Sequence, residues 1–156
     1  MYRHIAFTFC FIVLGLCNYA QLPQISFSQL DSLQKKDPRK VVVFIHTDWC
    51  RYCRAMEETT FKNAAVKKFL NNEFYFVFLN AEEKQDILFN RHVFKFKPTG
   101  SGTGIHELAE QLGTIKGSGT YPAFCFLNEK NEIIYQVADY ISARDFKNIL
   151  DRLRSL

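Results

Sequence analysis

Val41-Val42-Val43-Phe44-Ile45 is apolar at both parities. A strand with one wet face alternates apolar and polar residues, whereas an uninterrupted β-branched run up to His46 belongs to a strand covered on both faces. Glu73 to Asn80 repeats the pattern through Phe74-Tyr75-Phe76-Val77-Phe78-Leu79 and predicts a second buried strand. Ala123-Phe124-Cys125-Phe126-Leu127, entered through Tyr121-Pro122, predicts a third. Asn128-Glu129-Lys130-Asn131 reads as a hairpin turn into a fourth, Glu132 to Val137.

Helical spacing fills the gaps. Phe27, Leu30 and Leu33 lie on one face of a Ser-capped helix that stops at the charged turn around Pro38. A helix is predicted from Cys50 to Glu58 and another from Asn63, its cap, to Leu70. Ala81 to Leu88 reads as helix or a turn of helix. Ile105, Leu108, Ala109 and Leu112 mark an amphipathic helix ended by Gly113. Ser142-Ala143-Arg144-Asp145 resembles a capping box for a last helix with Phe146, Ile149, Leu150 and Leu153 inward. Arg91 to Pro98 alternates apolar and basic residues, as an edge strand does, with Pro98 and the lysines blocking further pairing. Thr99 to Gly104 reads as a flexible loop; it lacks the Gly-Lys-Ser/Thr ending of a phosphate-binding loop.

The first two strands, joined through helices, are expected parallel. The last two, joined by a short turn, must be antiparallel. The fold class is therefore α/β, with a central mixed sheet of about four strands flanked by helices and an insertion near residues 90–104.

Composition narrows the setting. The 156 residues suit one domain, and 47% hydrophobic residues with 16 Phe suit a ring-rich core. The net charge of +4 is spread with mixed sign, and no basic block points to nucleic acid. Met1-Tyr2-Arg3-His4 followed by an apolar run from Ile5 to Leu16 reads as a secretory signal over residues 1–20, cleaved after Ala20. Cys17 raises the rival reading of a lipid anchor, against which stands the bulky Leu16 before it. The expected setting is periplasmic or otherwise extracytoplasmic. Cleavage leaves Cys50, Cys53 and Cys125 in an oxidising compartment.

Trp49-Cys50-Arg51-Tyr52-Cys53 carries the chemistry. Two cysteines at this spacing, where a strand gives way to a helix, can close a small ring. The first sulfur then lies at a helix N-terminus, where unpaired amides and the helix dipole favour a thiolate. Arg51 adds positive charge beside Cys50; Tyr52 adds bulk and a hydroxyl. A structural clip and a metal site are the other readings. The latter is short of ligands, because His4, His46, His92 and His106 show no ligand spacing. Cys125, between two phenylalanines, reads as a buried inert thiol. His46 reads as a packed histidine or, more sharply, as a proton acceptor near the disulfide.

Trp49-Cys50-x-x-Cys53 after the first buried strand, with Tyr121-Pro122 opening the late hairpin, resembles the thioredoxin superfamily over Ser26 to Leu156. Thr47-Asp48-Trp49 and Arg54-Ala55-Met56-Glu57 followed by Thr60-Phe61 are similar to exported thioredoxin-like proteins and to the end domain of transmembrane disulfide reductases. The resemblance implies a thioredoxin-like domain over residues 21–156. It implies Cys50 as the exposed nucleophile, Cys53 as the buried resolving cysteine, and Trp49 packed beside the disulfide. It also implies Pro122 as a cis-proline facing the sulfurs and Tyr121 as the residue that pairs with a substrate backbone. Arg51 and Tyr52 join these as substrate-facing residues. The implied activity is thiol–disulfide exchange with cysteine-containing exported proteins, in the reductive direction. A membrane thiol donor is the candidate electron source, and no cofactor beyond the Cys50–Cys53 pair and no metal is implied. A monomer is expected. A non-catalytic binding or chaperone module with a structural disulfide is the alternative, and metal delivery a third. The chain departs from cytosolic thioredoxins in its Arg-Tyr pair, in Phe44 where they keep a buried Asp, and in the 90–104 insertion. That insertion is expected to border the active face.

Overall fold

Val41 to Ile45 are fully buried, so both faces of this strand are covered. The computed structural model describes residues 22–156; the segment read as a signal, Cys17 included, lies outside the described residues. Helix α1 (Phe27–Lys36) precedes β1 (Lys40–His46), followed by α2 (Arg51–Glu58), α3 (Ala64–Glu73) and β2 (Phe74–Asn80). Short strands β3 (Ile87–Phe89), β4 (His92–Phe94), β5 (Phe96–Pro98) and β6 (Gly104–His106) lead to α4 (Glu107–Gly113). A small ribbon, β7 (Thr114–Ile115) and β8 (Ser118–Gly119), precedes β9 (Ala123–Leu127), β10 (Ile133–Val137) and α5 (Ala143–Arg154).

The main sheet runs β10-β9-β1-β2. β1 and β2 are parallel, with Val43 opposite Val77. β9 is antiparallel to β1, with Ile45 opposite Ala123, and β10 is antiparallel to β9. This is the mixed α/β sheet that the apolar runs predict.

Strand alternation divides the core into two layers. Val41, Val43, Ile45, Val77, Leu79 and Cys125 face Phe27 and Leu30 of α1 and Leu108 and Leu112 of α4. Val42, Phe44, Phe76, Phe124 and Phe126 face Met56 of α2, Val66 and Leu70 of α3, and Phe146 and Leu150 of α5. The second layer is a lattice of rings: Phe44 meets Phe61 at 4.9 Å, Phe78 at 5.5 Å and Phe124 at 5.1 Å between centroids. Side chains close the helix starts. Ser26 and Gln29 form a capping box, Asn63 accepts from the amides of Ala65 and Val66, and Ser142 accepts from that of Asp145.

Three local expectations are corrected. Ala81 to Leu88 is a turn followed by β3, not helix. The Ala81 amide donates to the His46 carbonyl and the Ala81 carbonyl accepts from the His106 amide, both at 2.7 Å, so its main chain serves neighbouring strands. Arg91 to Pro98 is not one edge strand. Asn90 and Arg91 both have positive φ (51° and 63°) and turn β4 back onto β3. Two left-handed residues in a two-residue loop match the twist of the strands they join. After Lys95 the chain starts a second ribbon, in which Pro98 stands opposite Gly104. A Cβ at Gly104 would run into the Lys97 carbonyl and the Phe96 ring. Ile105 belongs to β6, so α4 starts at Glu107, with the His106 side chain accepting from the Leu108 amide.

The insertion is divided between the two ends of the sheet. Asn90, at the β3–β4 tip, accepts from Asn131 at 2.7 Å. Asn131 lies in the β9–β10 turn, whose Glu129 pairs with Lys40 at the start of β1. That end is remote from Cys50. The β5–β6 ribbon instead roots at Ala81, beside the C-terminal end of β1.

Candidate redox site

β1 delivers the chain to Thr47, whose carbonyl accepts from the Cys50 amide at 3.1 Å in a tight turn. Cys50 is the N-cap of α2, and its carbonyl accepts from the Arg54 amide. Its sulfur lies 3.1 Å from the Cys53 amide, one of the donors a helix start leaves without an internal partner. Cys50 and Cys53 are joined in a disulfide with their Cα atoms 5.2 Å apart. Cys50 retains 6% exposure and Cys53 1%, so the first cysteine is the one within reach of another molecule. Arg51 is exposed in the first turn of α2.

An aromatic rim surrounds this point. Trp49 and Tyr52 are 67% and 66% exposed, a large apolar area to leave in water unless something covers it. The Trp49 indole donates to Glu82 at 3.1 Å and meets the Tyr121 ring edge-on at 6.3 Å. Tyr52 lies 6.3 Å from Tyr140, whose hydroxyl is 3.5 Å from that of Thr59. The Asn80 amide donates to Asp48, and Asn80 in turn accepts from the Glu82 main chain. The loop after β2 thereby braces the loop before α2.

Ladder register brings the late segment alongside. Ile45 pairs with Ala123, so buried Pro122 and half-buried Tyr121 stand beyond the last pair, next to the Thr47–Cys50 turn. The Tyr121–Pro122 peptide is cis. Burial first, and then the Glu82 carboxylate, push the Tyr121 phenol upward.

Glu82 and Tyr140 are site neighbours that sequence reasoning missed. Glu82 sits in a segment read as helix, and Tyr140 in an unassigned stretch before the Ser142 cap. Neither carries a local sequence signal, because each reaches the site only through loop packing against Trp49 or Tyr52.

Cys125 is elsewhere. It is fully buried on β9 in the layer that faces α1 and α4, whereas Cys50 and Cys53 pack with the α2–α3–α5 layer. Burial pushes its thiol up to about 12. Iodoacetamide at about pH 8 should therefore label Cys50 in the reduced, folded protein and leave Cys125 unlabelled until denaturant is added. Peptide mass mapping checks this, and native-state labelling of Cys125 would contradict the burial.

Among the described residues, no cluster of three or more His, Cys, Asp or Glu is placed to hold a metal ion, and no helix is long and apolar enough to cross a membrane. Solved structures with the same architecture include the DsbH oxidoreductase, with a TM-score of 0.62 at 16% identity over 88% of this chain and 87% of that one. A thioredoxin from Thermus thermophilus gives 0.61 at 19% identity over 86% and 88%. A putative disulphide-isomerase from Bacteroides thetaiotaomicron gives 0.57 at 20% over 86% and 91%. At such identities the likeness is one of fold. No curated protein matches the chain in sequence. The family model described as "Thioredoxin-like domain" matches residues 27–154. With a Cys-x-x-Cys disulfide at the start of α2 and a match spanning nearly all the described residues, the chain belongs to the thioredoxin-like domain family.

Proposed function

We propose that this protein is an exported thiol–disulfide oxidoreductase that reduces disulfides in other exported proteins. One observation carries the reading: the Cys50–Cys53 pair caps a helix inside a rim of exposed aromatic side chains, with the first cysteine the more accessible. The helix start favours a Cys50 thiolate, and exposed Arg51 beside it adds positive charge.

In the reductive cycle the Cys50 thiolate attacks a substrate cystine. One substrate sulfur joins Cys50, and the other leaves as a thiolate that takes up a proton. Cys53 then attacks the Cys50 sulfur, expels the second substrate thiol and closes the ring. The substrate gains two electrons and the enzyme pair loses them. A dithiol donor, membrane-bound or soluble, restores the pair. Trp49, Tyr52, Tyr121 and Pro122 form the ledge on which an extended substrate segment would lie, with the main chain of Tyr121 free of the β1–β9 ladder to pair with it. Export rests on the basic start and apolar run of residues 1–20.

Insulin reduction with dithiothreitol as donor tests the activity. Catalytic amounts of the protein should shorten the lag before the insulin B chain precipitates. A time course identical to dithiothreitol alone would overturn the reading in favour of a binding module.

A further inference from the structure

A thiol must lose its proton before it attacks, and the core behind the disulfide supplies no base. Phe44 is fully buried among Phe61, Phe78 and Phe124. The next residue on the same face of β1 is His46. Its ring lies nearly parallel to that of Phe44 (5.6 Å, 13°) and edge-on to Phe78 at 6.0 Å. Beyond it opens a cavity lined by His46, Thr47, Asp48, Cys50, Arg54 and Glu57. Thr47, one of the lining residues, has a buried hydroxyl with no hydrogen-bond partner.

We propose that His46, with Glu57 beside it, takes the proton of the Cys50 thiol and returns it to the departing substrate sulfur. This rests on the oxidoreductase reading above. The other groups facing the cavity are less suited. Arg54 carries no free lone pair, and a carboxylate is a weak base towards a thiol. Asp48 is also engaged by the Asn80 amide. From β2, the neighbours of His46 are uncharged Phe78 and Asn80. Glu57 also borders a second groove that contains Lys62 and Lys67.

The electrostatics suit a shuttle. Burial holds the imidazole below its usual value of 6.5, so it is neutral and able to accept near neutral pH. The Glu57 and Asp48 carboxylates act against burial and favour the imidazolium once it forms. The step balances: Cys50 thiol and neutral imidazole give thiolate and imidazolium. The thiolate breaks the substrate S–S bond and forms the mixed disulfide, and the released substrate thiolate takes the proton from the imidazolium.

The test is the rate of Cys50 alkylation in the fully reduced protein as a function of pH, read by mass spectrometry beside insulin turnover. Wild type, His46→Phe and Glu57→Gln are compared after circular dichroism has established that each is folded. His46→Phe should raise the apparent Cys50 pKa by about one unit, a tenfold slower alkylation at pH values below both transitions, with the rates converging at about pH 9–10. Glu57→Gln should shift it the same way by about twofold in rate. Profiles that superimpose on wild type, or a His46→Phe deficit equal at every pH, would overturn the proposal while leaving the oxidoreductase reading standing. A reduced, folded wild type whose Cys50 reacts at no pH would overturn both.

Discussion

Cys53→Ser should accumulate as a covalent complex with its substrate. With the resolving sulfur gone, Cys50 can still open a substrate disulfide, but nothing within the protein can release the product. Cys53 is 1% exposed, so its sulfur meets Cys50 and little else. Serine is close in size and keeps the first turn of α2, where the Cys50 sulfur lies against the residue-53 amide. Non-reducing electrophoresis of the variant incubated with a disulfide-bonded substrate should show a new band that collapses on adding reductant. Cys50→Ser should give no such band and lower turnover on the order of a thousandfold or more, since the residual cysteine is buried. The reverse pattern, with Cys53→Ser inactive and Cys50→Ser trapping substrate, would exchange the two roles. Equal trapping by both would remove the distinction of access on which the assignment rests.

Phe44→Ala should be the most damaging change to stability that leaves the disulfide in place. The residue is fully buried at the centre of the ring lattice, and its neighbours are held by two strands and by the segment after α2. Removing a buried phenyl ring forfeits its transfer free energy and leaves a cavity that strand-held neighbours cannot fill. The expected loss is about 3–5 kcal/mol, or about 10–20 °C in melting temperature. Tyr135, 41% exposed on the edge strand β10, gives the contrast: Tyr135→Ala should cost about 1 kcal/mol or less. Urea unfolding of both variants checks the difference. A Phe44→Ala loss below about 1 kcal/mol would mean that the lattice relaxes around the hole.

Strands β1, β2 and β9 were readable because burial on both faces leaves an unbroken apolar run, as in Val41 to Ile45 and Phe74 to Leu79, whereas the half-exposed edge strand β10 was readable from the hairpin turn before it. Ala81 to Lys84 misled because Ala, Glu and Lys favour helix locally. Hydrogen bonds to His46 and His106 override that preference, and such tertiary contacts have no local signature. The β3–β4 reversal was hidden for another reason. Arginine at φ 63° is not a residue that advertises a turn, although the preceding Asn90 is. Of the site, the contiguous Trp49–Cys53 stretch could be located from spacing alone. Tyr121 and Pro122 could be placed beside it only through family resemblance, because it is the Ile45–Ala123 ladder pair that sets their position. Glu82 and Tyr140 depend wholly on how the loops pack, through the indole of Trp49 and the ring of Tyr52.

The exchange chemistry stands or falls on whether the Cys50–Cys53 bond opens and closes in the folded protein. Equilibration with graded ratios of reduced and oxidised dithiothreitol and glutathione, followed by acid quench and mass spectrometry, reads this directly. The expected result is a single two-electron transition confined to Cys50 and Cys53, with a midpoint closer to about −270 mV than to about −120 mV, as a reductant requires. A disulfide that stays closed across the whole range until the protein is unfolded would contradict it and leave the bond as a structural clip.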